Sequence, residues 1–240
     1  MTHSDIYTKF MIEYDKANIT SSYPSLTKYE IATILDKAYL ALIAQKYTGN
    51  NPRRSAFESD MKAIEDLKPL INNVYIIGNL VGDNSYRFPT DKLNYMYILH
   101  GEFTVNNSVN SFDGKAHSIQ EMRFVSHEEA KNYKATTNNM PWIEYPTSVI
   151  ENNSIITYVD PTVVQYNGAT STAQFLYLKQ PNKFAVGPGN FESDYDFTST
   201  KFELSDSMAE ELINLAIIMS TEIVESSRLT TKVNTRPLES

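Results

Sequence analysis

Apolar residues near both ends of the chain recur with the 3.6-residue period of an α-helix. Residues 5–17 place Ile6, Phe10 and Tyr14 four positions apart, which sets the three side chains on one helical face. Residues 207–226 show the same period near the other end, with apolar side chains at Met208, Leu212, Leu215, Met219 and Ile223. Both stretches are predicted to form amphipathic helices.

A long helix is predicted between these two, over residues 28–47. Thr27 and Glu30 match a capping box, in which each side chain bonds to the backbone amide of the other residue, and Gly49 supplies a left-handed stop. A third helix is predicted over residues 55–68, closed by Pro69, with an apolar face at Phe57, Met61, Ile64 and Leu67. The short connection between the second and third helices predicts an antiparallel helical hairpin.

The pattern changes from helical to extended at Val74. Five runs of β-branched and aromatic residues, separated by Gly, Asn, Pro and Asp, predict strands at 74–77, 95–99, 102–105, 155–159 and 174–178. A second capping box, from Ser126 to Glu129, predicts a short helix over residues 126–133. The predicted fold class is therefore α+β: a helical bundle from the N- and C-terminal segments with a β-rich insertion.

This pattern also predicts the organisation of the chain. Residues 1–73 and 202–228 form the helical core, residues 74–201 the β-rich insertion, and residues 229–240 an extended C-terminal tail. The tail has too few apolar residues to offset an ordering cost of about 1 to 2 kcal/mol per residue on its own, so it is expected to lie on a neighbouring subunit. The predicted interface residues are Arg228, Leu229, Lys232, Val233, Arg236 and Leu238.

Composition and charge narrow the classes of function. With 240 residues, of which 41% are hydrophobic, the chain can bury a sizeable core. Its net charge of −8 argues against a surface that grips nucleic-acid phosphates, although an acidic wall suits a conduit through which DNA slides. The absence of cysteine excludes disulfides and cysteine-bound zinc. We find no signal peptide and no apolar run of membrane-spanning length, and expect a soluble, intracellular protein with no membrane partner.

Two short motifs resemble metal sites but fail at a required position. Counting a calcium loop from Glu192 through Asp196 puts Glu203 at the twelfth position, but Phe197 stands where the sharp turn needs glycine. His127 and Glu128 begin like a zinc helix, but the next position that should be histidine is Lys131. We interpret the first motif as the solvent-exposed face of an edge strand and the second as part of a capping box. No metal or other cofactor is expected.

Other chemistry-bearing residues are scattered or too few. We find no hydrolase elbow, P-loop, dinucleotide fingerprint or HExxH motif, so no catalytic residues are predicted and the chain is not expected to be an enzyme. The 16 tyrosines favour strand packing, although tyrosine also suits ligand sites and subunit interfaces. The residues considered and set aside are His3, His100 and His117, the Gly187–Gly189 turn, and the arginines Arg53, Arg54 and Arg87.

Both helical ends of the chain resemble virion proteins of crAss-like tailed phages that infect gut bacteria. The resemblance rests on Leu26–Ile31 with Leu35–Ala38, on the stretch from Phe57 to Asp66–Leu70, and on Glu210–Ala216 followed by Glu225–Leu229. It covers about a third of the chain, and the β-rich middle matches only in layout.

This resemblance implies a connector ring, or adaptor, at the phage head-to-tail junction below the portal. It implies a homo-oligomeric, twelvefold ring whose partners are the portal protein and adjacent ring or tail proteins, with genomic DNA passing through transiently. The protein would be made in the bacterial host cytoplasm and reside in the virion, without catalytic residues or a cofactor.

Two alternatives from other classes stay open. One is a hydrolase or carbohydrate-active enzyme that uses paired carboxylates on the β region, which would require two buried carboxylates within catalytic distance. The other is a monomeric module whose tyrosine-rich sheet binds a peptide or glycan, which would require a large exposed aromatic patch.

Overall fold

The chain divides into two compact units. The structure, a computed structural model, describes residues 1–16, 26–49, 61–82, 84–91, 93–106, 117–130, 141–184, 197 and 199–223. One unit comprises Met1–Leu70 with Pro181–Ser240, and the other comprises Ile71–Gln180. Within the described ranges, none of the helices combines the length and apolar character needed to cross a membrane.

Helices form most of the described part of the first unit. They are α1 (His3–Lys16), α2 (Lys28–Thr48), α3 (Met61–Leu67) with a following 3₁₀ turn (Lys68–Leu70), and α5 (Asp206–Ile223); α4 (Pro161–Asn167) belongs to the other unit. Helices α1 and α2 both pack against α5. Helix α5 has buried side chains around most of its circumference. The chain start pairs with the segment that leads into α5, because the N–H of His3 donates to the Thr200 carbonyl (2.9 Å) and that of Phe202 to the Met1 carbonyl (2.9 Å).

The predicted local signals at the ends of α2 are confirmed. The hydroxyl of Thr27 accepts from the Glu30 amide (3.2 Å), and the Glu30 carboxylate accepts from the Thr27 amide (2.8 Å). Gly49 ends the helix in the left-handed conformation, with φ of 72°. These bonds satisfy backbone groups that a helix end otherwise leaves unpaired, so α2 starts and stops where its sequence specifies.

The predicted apolar faces of α1 and α5 are buried. In α1, Ile6, Phe10 and Tyr14 are each at most 1% exposed, as their spacing predicts. In α5, Met208, Leu212 and Leu215 are buried and Met219 is partly exposed, while the side chain of Ile223 is outside the described part of the structure. The three helices therefore share one apolar core.

The predicted apolar face of the third helix is only partly correct. Leu67 is buried, but Met61 is 80% exposed. The described helix begins at Met61, and residues 50–60, which include Phe57, lie outside the described ranges. The side chain at the start of α3 therefore does not extend the buried stripe that ends at Leu67.

Strands organise the second unit into a single sheet. They are β1 (Ile71–Leu80), β2 (Ser85–Pro89), β3 (Tyr95–Asn106), β4 (His117–Glu121), β5 (Arg123–Phe124), β6 (Thr147–Glu151), β7 (Ser154–Tyr158) and β8 (Thr170–Lys179). Their order across the sheet is β4-β3-β8-β1-β2-β7-β6-β5. All neighbouring strands are antiparallel except β5 and β6.

The two ends of this order are joined through one residue. Strands β4 and β5 are the first and last strands of the sheet, yet only Met122 separates them in sequence. The stretch 117–124 therefore pairs with β3 along its first part and with β6 along its last part. This connection bends the sheet into a nearly closed, barrel-like form.

The predicted fold class, a helical bundle carrying a β-rich insertion, is wrong. The protein is a mixed α/β structure in which an eight-stranded, nearly closed sheet dominates the core. The sequence pattern missed β2, β4, β5 and β6 because each is at most five residues long and carries few apolar side chains. Such strands form because neighbouring strands provide hydrogen-bond partners for their backbone. This long-range pairing leaves no pattern in the local sequence.

Gly101 lies inside a strand, although the sequence pattern predicts a break between two strands at this position. The predicted strands 95–99 and 102–105 are parts of the single strand β3. A Cβ atom on Gly101 would lie 3.1 Å from the Met122 sulfur and 3.2 Å from the Phe124 ring. The glycine therefore allows a close approach of neighbouring segments rather than ending the strand.

The inner side of the sheet holds the core of the second unit. Inward side chains of alternate positions form one buried cluster, which α4 adjoins through Val163. Asn167, at the end of α4, donates to the Thr104 carbonyl and the Ser171 hydroxyl, both at 2.8 Å. The aromatic members of this cluster are Tyr86, Phe88, Phe103 and Phe175.

Replacing Gly78 by alanine is expected to destabilise the second unit by about 1 to 3 kcal/mol. An added Cβ would lie 2.6 Å from the ring of Phe88 and 3.0 Å from the Arg87 carbonyl oxygen, and Phe88 is completely buried. Urea denaturation followed by circular dichroism would measure the change. Alanine at Asn79, the next and exposed residue of β1, is the matched control; equal effects of the two substitutions would contradict the prediction.

Candidate functional site

Several sequence-predicted residues lie outside the described part of the structure. All six predicted interface residues, Arg228, Leu229, Lys232, Val233, Arg236 and Leu238, follow the last described residue. Internal stretches outside the described residues contain Arg53 and Arg54, Gly187–Gly189, and the acidic run Glu192–Asp196. The predictions made for these residues stay predictions.

The described residues do not assemble a metal centre. Within the described ranges, no group of three or more His, Asp or Glu side chains could hold a metal ion. Glu203, the last position of the calcium-loop count, instead accepts from the amide (2.9 Å) and the side chain (3.1 Å) of Asn182. Ser126 caps a helical turn that begins at His127, because its hydroxyl accepts from the Glu129 amide at 3.3 Å.

His3 is part of the core of the first unit. Its side chain is 3% exposed and its ring lies 4.6 Å from the ring of Phe184. Burial lowers the pKa of His3, since desolvation disfavours the charged ring. The nearby hydroxyl of Tyr39 is buried as well, and its pKa is raised for the same reason. Both residues pack with aromatic neighbours in this core.

Two weakly exposed carboxylates converge on one lysine in the first unit. The ammonium of Lys46 lies 3.3 Å from a carboxylate oxygen of Asp66 and 3.0 Å from one of Glu211. The three side chains are between 10% and 14% exposed. Because they belong to α2, α3 and α5, this network ties three helices together.

The outer side of β1 carries large apolar side chains in solvent. Tyr75 is 68% exposed and Ile77 is 66% exposed. Their neighbours on β8 are Gln174 and Thr172, both partly exposed. Tyr158, in contrast, is buried in a small cluster on β6 and β7, so the predicted packing role of the strand tyrosines applies to Tyr158 and not to Tyr75.

An acidic group lies on the outer side of β3 and β4, separated from the apolar side chains of β1 by strand β8. Glu102 and Glu121 are direct cross-strand neighbours. His100 lies between them, with ring nitrogens 3.4 Å from a Glu102 oxygen and 3.6 Å from a Glu121 oxygen. Ile119, also on β4, is 63% exposed. We call the side chains of Ile119 and Glu121 on β4, together with those of Glu102 and His100 on β3, the β4 edge region.

The turn before β6 exposes aromatic side chains that sequence reasoning missed. Trp142 is 73% exposed and Tyr145 is 63% exposed, and the Tyr145 amide donates to the Trp142 carbonyl (3.0 Å). Pro146, which follows, accepts from the amide of Arg123 (2.9 Å), where β5 begins. The signal available in the sequence was the single tryptophan of the chain, placed between Pro141 and Pro146.

The comparisons with known proteins do not identify the chain. No protein-family model matches it, and no curated protein matches it. The exposed apolar side chains of β1 and the β4 edge region are the surfaces of the second unit that a partner could contact. Exposed apolar groups rimmed by polar residues and uncovered strand edges are features by which one protein chain binds another.

Proposed function

We propose that this chain is a virion structural protein that forms a ring in the head-to-tail connector of a tailed phage. The ring lies below the portal, contacts the portal and adjacent ring or tail proteins, and surrounds the passage of genomic DNA. The protein resides at the head-to-tail junction of the virion. Its acidic net charge of −8 suits a channel that must not hold DNA.

One observation supports this proposal above the others. The two ends of the chain that resemble connector proteins are far apart in sequence, yet α2 and α5, which carry much of that resemblance, pack against each other in one compact unit. Lys46 of α2 also pairs with Glu211 of α5 (3.0 Å). The described parts of the resembling segments therefore lie together in one compact unit.

A monomeric peptide- or glycan-binding module is the second candidate. The exposed Tyr75 and Ile77 on β1 favour it, since aromatic side chains on an open sheet face can stack against a ligand. The two candidates differ in oligomeric state: the module stays monomeric at high concentration, whereas a ring subunit assembles with its portal. Mass photometry of the protein with the portal distinguishes them.

Deleting residues 229–240 is expected to block incorporation into particles and leave the melting temperature of the free protein nearly unchanged. The deleted segment contains Leu229, Val233 and Leu238 as its sizeable apolar residues, too few to contribute much to a folded core. Particles purified from infected cells would be analysed by electron microscopy and mass spectrometry.

The matched control removes Glu239 and Ser240 alone and should be incorporated normally. Normal incorporation of the longer deletion would contradict the assembly role of the tail. A large drop in its melting temperature would show instead that the tail belongs to the fold.

A further inference from the structure

Strand β4 has one unpaired long edge among the described residues. It pairs with β3 along one side, and no described residue pairs with the other side from Ser118 to Met122. The open edge ends at Arg123, because the amide of Arg123 donates to the Pro146 carbonyl (2.9 Å) and pairing with β6 begins there. An open edge presents backbone N–H and C=O groups with which another extended segment can pair.

This edge lacks two of the features that commonly prevent such pairing, lysine and proline. Native edge strands are commonly protected by lysine, proline or a bulge. Strand β4 reads His117-Ser118-Ile119-Gln120-Glu121 and has neither lysine nor proline, and the exposed Ile119 is a large apolar group at its centre. The edge is therefore suited to binding a strand.

The charges of the β4 edge region specify what the added strand should carry. Glu121 lies directly across from Glu102, and like charges at opposing positions of a sheet disfavour each other. The side chain of Glu121 is 74% exposed on the outer side of β4. A lysine or arginine on the outer side of an added strand would offset this repulsion.

One segment of the chain has the required pattern. Residues 229–235 read Leu-Thr-Thr-Lys-Val-Asn-Thr, rich in the β-branched residues that favour strands, and Pro237 ends the segment. In an extended conformation, Lys232 and Asn234 lie on one side and Thr231 and Val233 on the other. The segment therefore offers a cation and an apolar residue on opposite faces.

We propose that residues 231–235 of one copy add as an antiparallel strand to the β4 edge of a second copy. This inference rests on the proposed function, because a ring places a second copy beside each protomer. Lys232 then lies opposite Glu121, and Asn234 lies opposite Ile119. The eight residue-to-residue steps from Ile223 to Thr231 span up to about 28 Å when extended, which gives the segment reach to a neighbour.

Disulfide trapping between two full-length chains tests the register. The chain has no native cysteine, so Ile119→Cys on one tagged chain and Asn234→Cys on a differently tagged chain introduce the only thiols. Directly opposed side chains lie close enough for a disulfide after mild oxidation. We expect a covalent heterodimer on a non-reducing gel, and at least about tenfold less with Val233→Cys, whose side chain lies on the other face.

A charge exchange tests the recognition independently. Glu121→Lys and Lys232→Glu should each weaken self-association of the full-length protein about three- to tenfold, and the double variant should restore it. Equal crosslinking of Asn234→Cys and Val233→Cys, no heterodimer at all, or no rescue by the double variant would each overturn the inference.

The outcomes separate this inference from the proposed function. Particles that contain the wild-type chain, combined with absent crosslinking between Ile119→Cys and Asn234→Cys, would remove the docking site and leave the connector role in place. A chain that forms the crosslink and never enters particles would support the docking site and remove the connector role.

Discussion

Replacing Phe88 by alanine is expected to lower the free energy of unfolding of the second unit by about 3 to 5 kcal/mol. Phe88 is completely buried on the inner side of β2. Its ring contacts those of Phe103 and Phe175 edge to face, with centroids 6.1 and 5.8 Å away. The truncation removes these contacts and leaves a cavity in a nearly closed sheet, whose paired strands restrict collapse around it. Urea denaturation followed by circular dichroism measures the change in midpoint and slope.

Ile77→Ala is the matched control for this prediction. Ile77 lies on the neighbouring strand β1 and is 66% exposed, so its truncation should change stability by less than about 0.5 kcal/mol. A cost below about 1 kcal/mol for Phe88→Ala, or an equal cost for the two variants, would show that the inner side of the sheet is not a packed core.

Replacing Lys46 by methionine is expected to destabilise the first unit by about 3 to 5 kcal/mol. Methionine preserves most of the aliphatic volume, so the loss is mainly that of the charge. Asp66 and Glu211, which lie 3.3 and 3.0 Å from the lysine nitrogen, would be left as two weakly solvated carboxylates without their cation. The same denaturation experiment measures this effect through the helical signal.

Lys9→Met provides the control for the lysine substitution. Lys9 pairs with Glu210 between α1 and α5, and both of these side chains are 44% exposed. Exposed pairs contribute little to stability because solvent screens them, so this variant should remain close to wild type. If Lys46→Met were as mild, the Lys46 network would be a solvated surface pair rather than a tie between helices.

The candidate surfaces could be anticipated from sequence only in part. The tail is predicted to be an assembly element because it is polar, poor in apolar residues and ends in a proline-containing segment, and since it lies outside the described residues this stays a prediction. The exposure of Tyr75 and Ile77 was not predicted, because alternation along β1 shows that two faces differ but not which face is covered. The pairing of Glu102 with Glu121 depends on the β3–β4 register, and the sequence pattern predicted no strand at β4.

The helices of the first unit follow from local sequence. A capping box at Thr27 and Glu30, a glycine at position 49 and the regular spacing of Ile6, Phe10 and Tyr14 act within a few residues of one another. These signals operate through neighbouring backbone groups and a fixed helical period. They therefore locate α1, α2 and α5 without reference to the rest of the molecule.

Strand number, strand order and sheet closure depend on the folded chain. Strand β2 pairs with β1 and with β7, which begins about 70 residues later in the chain. Strand β4 pairs with β3 and strand β5 pairs with β6, and the single residue Met122 connects β4 to β5. Hydrogen bonds between such distant segments stabilise short strands that have little preference of their own. For this reason the local pattern described a helical protein with an insertion, whereas long-range pairing produced a mixed structure organised by its sheet.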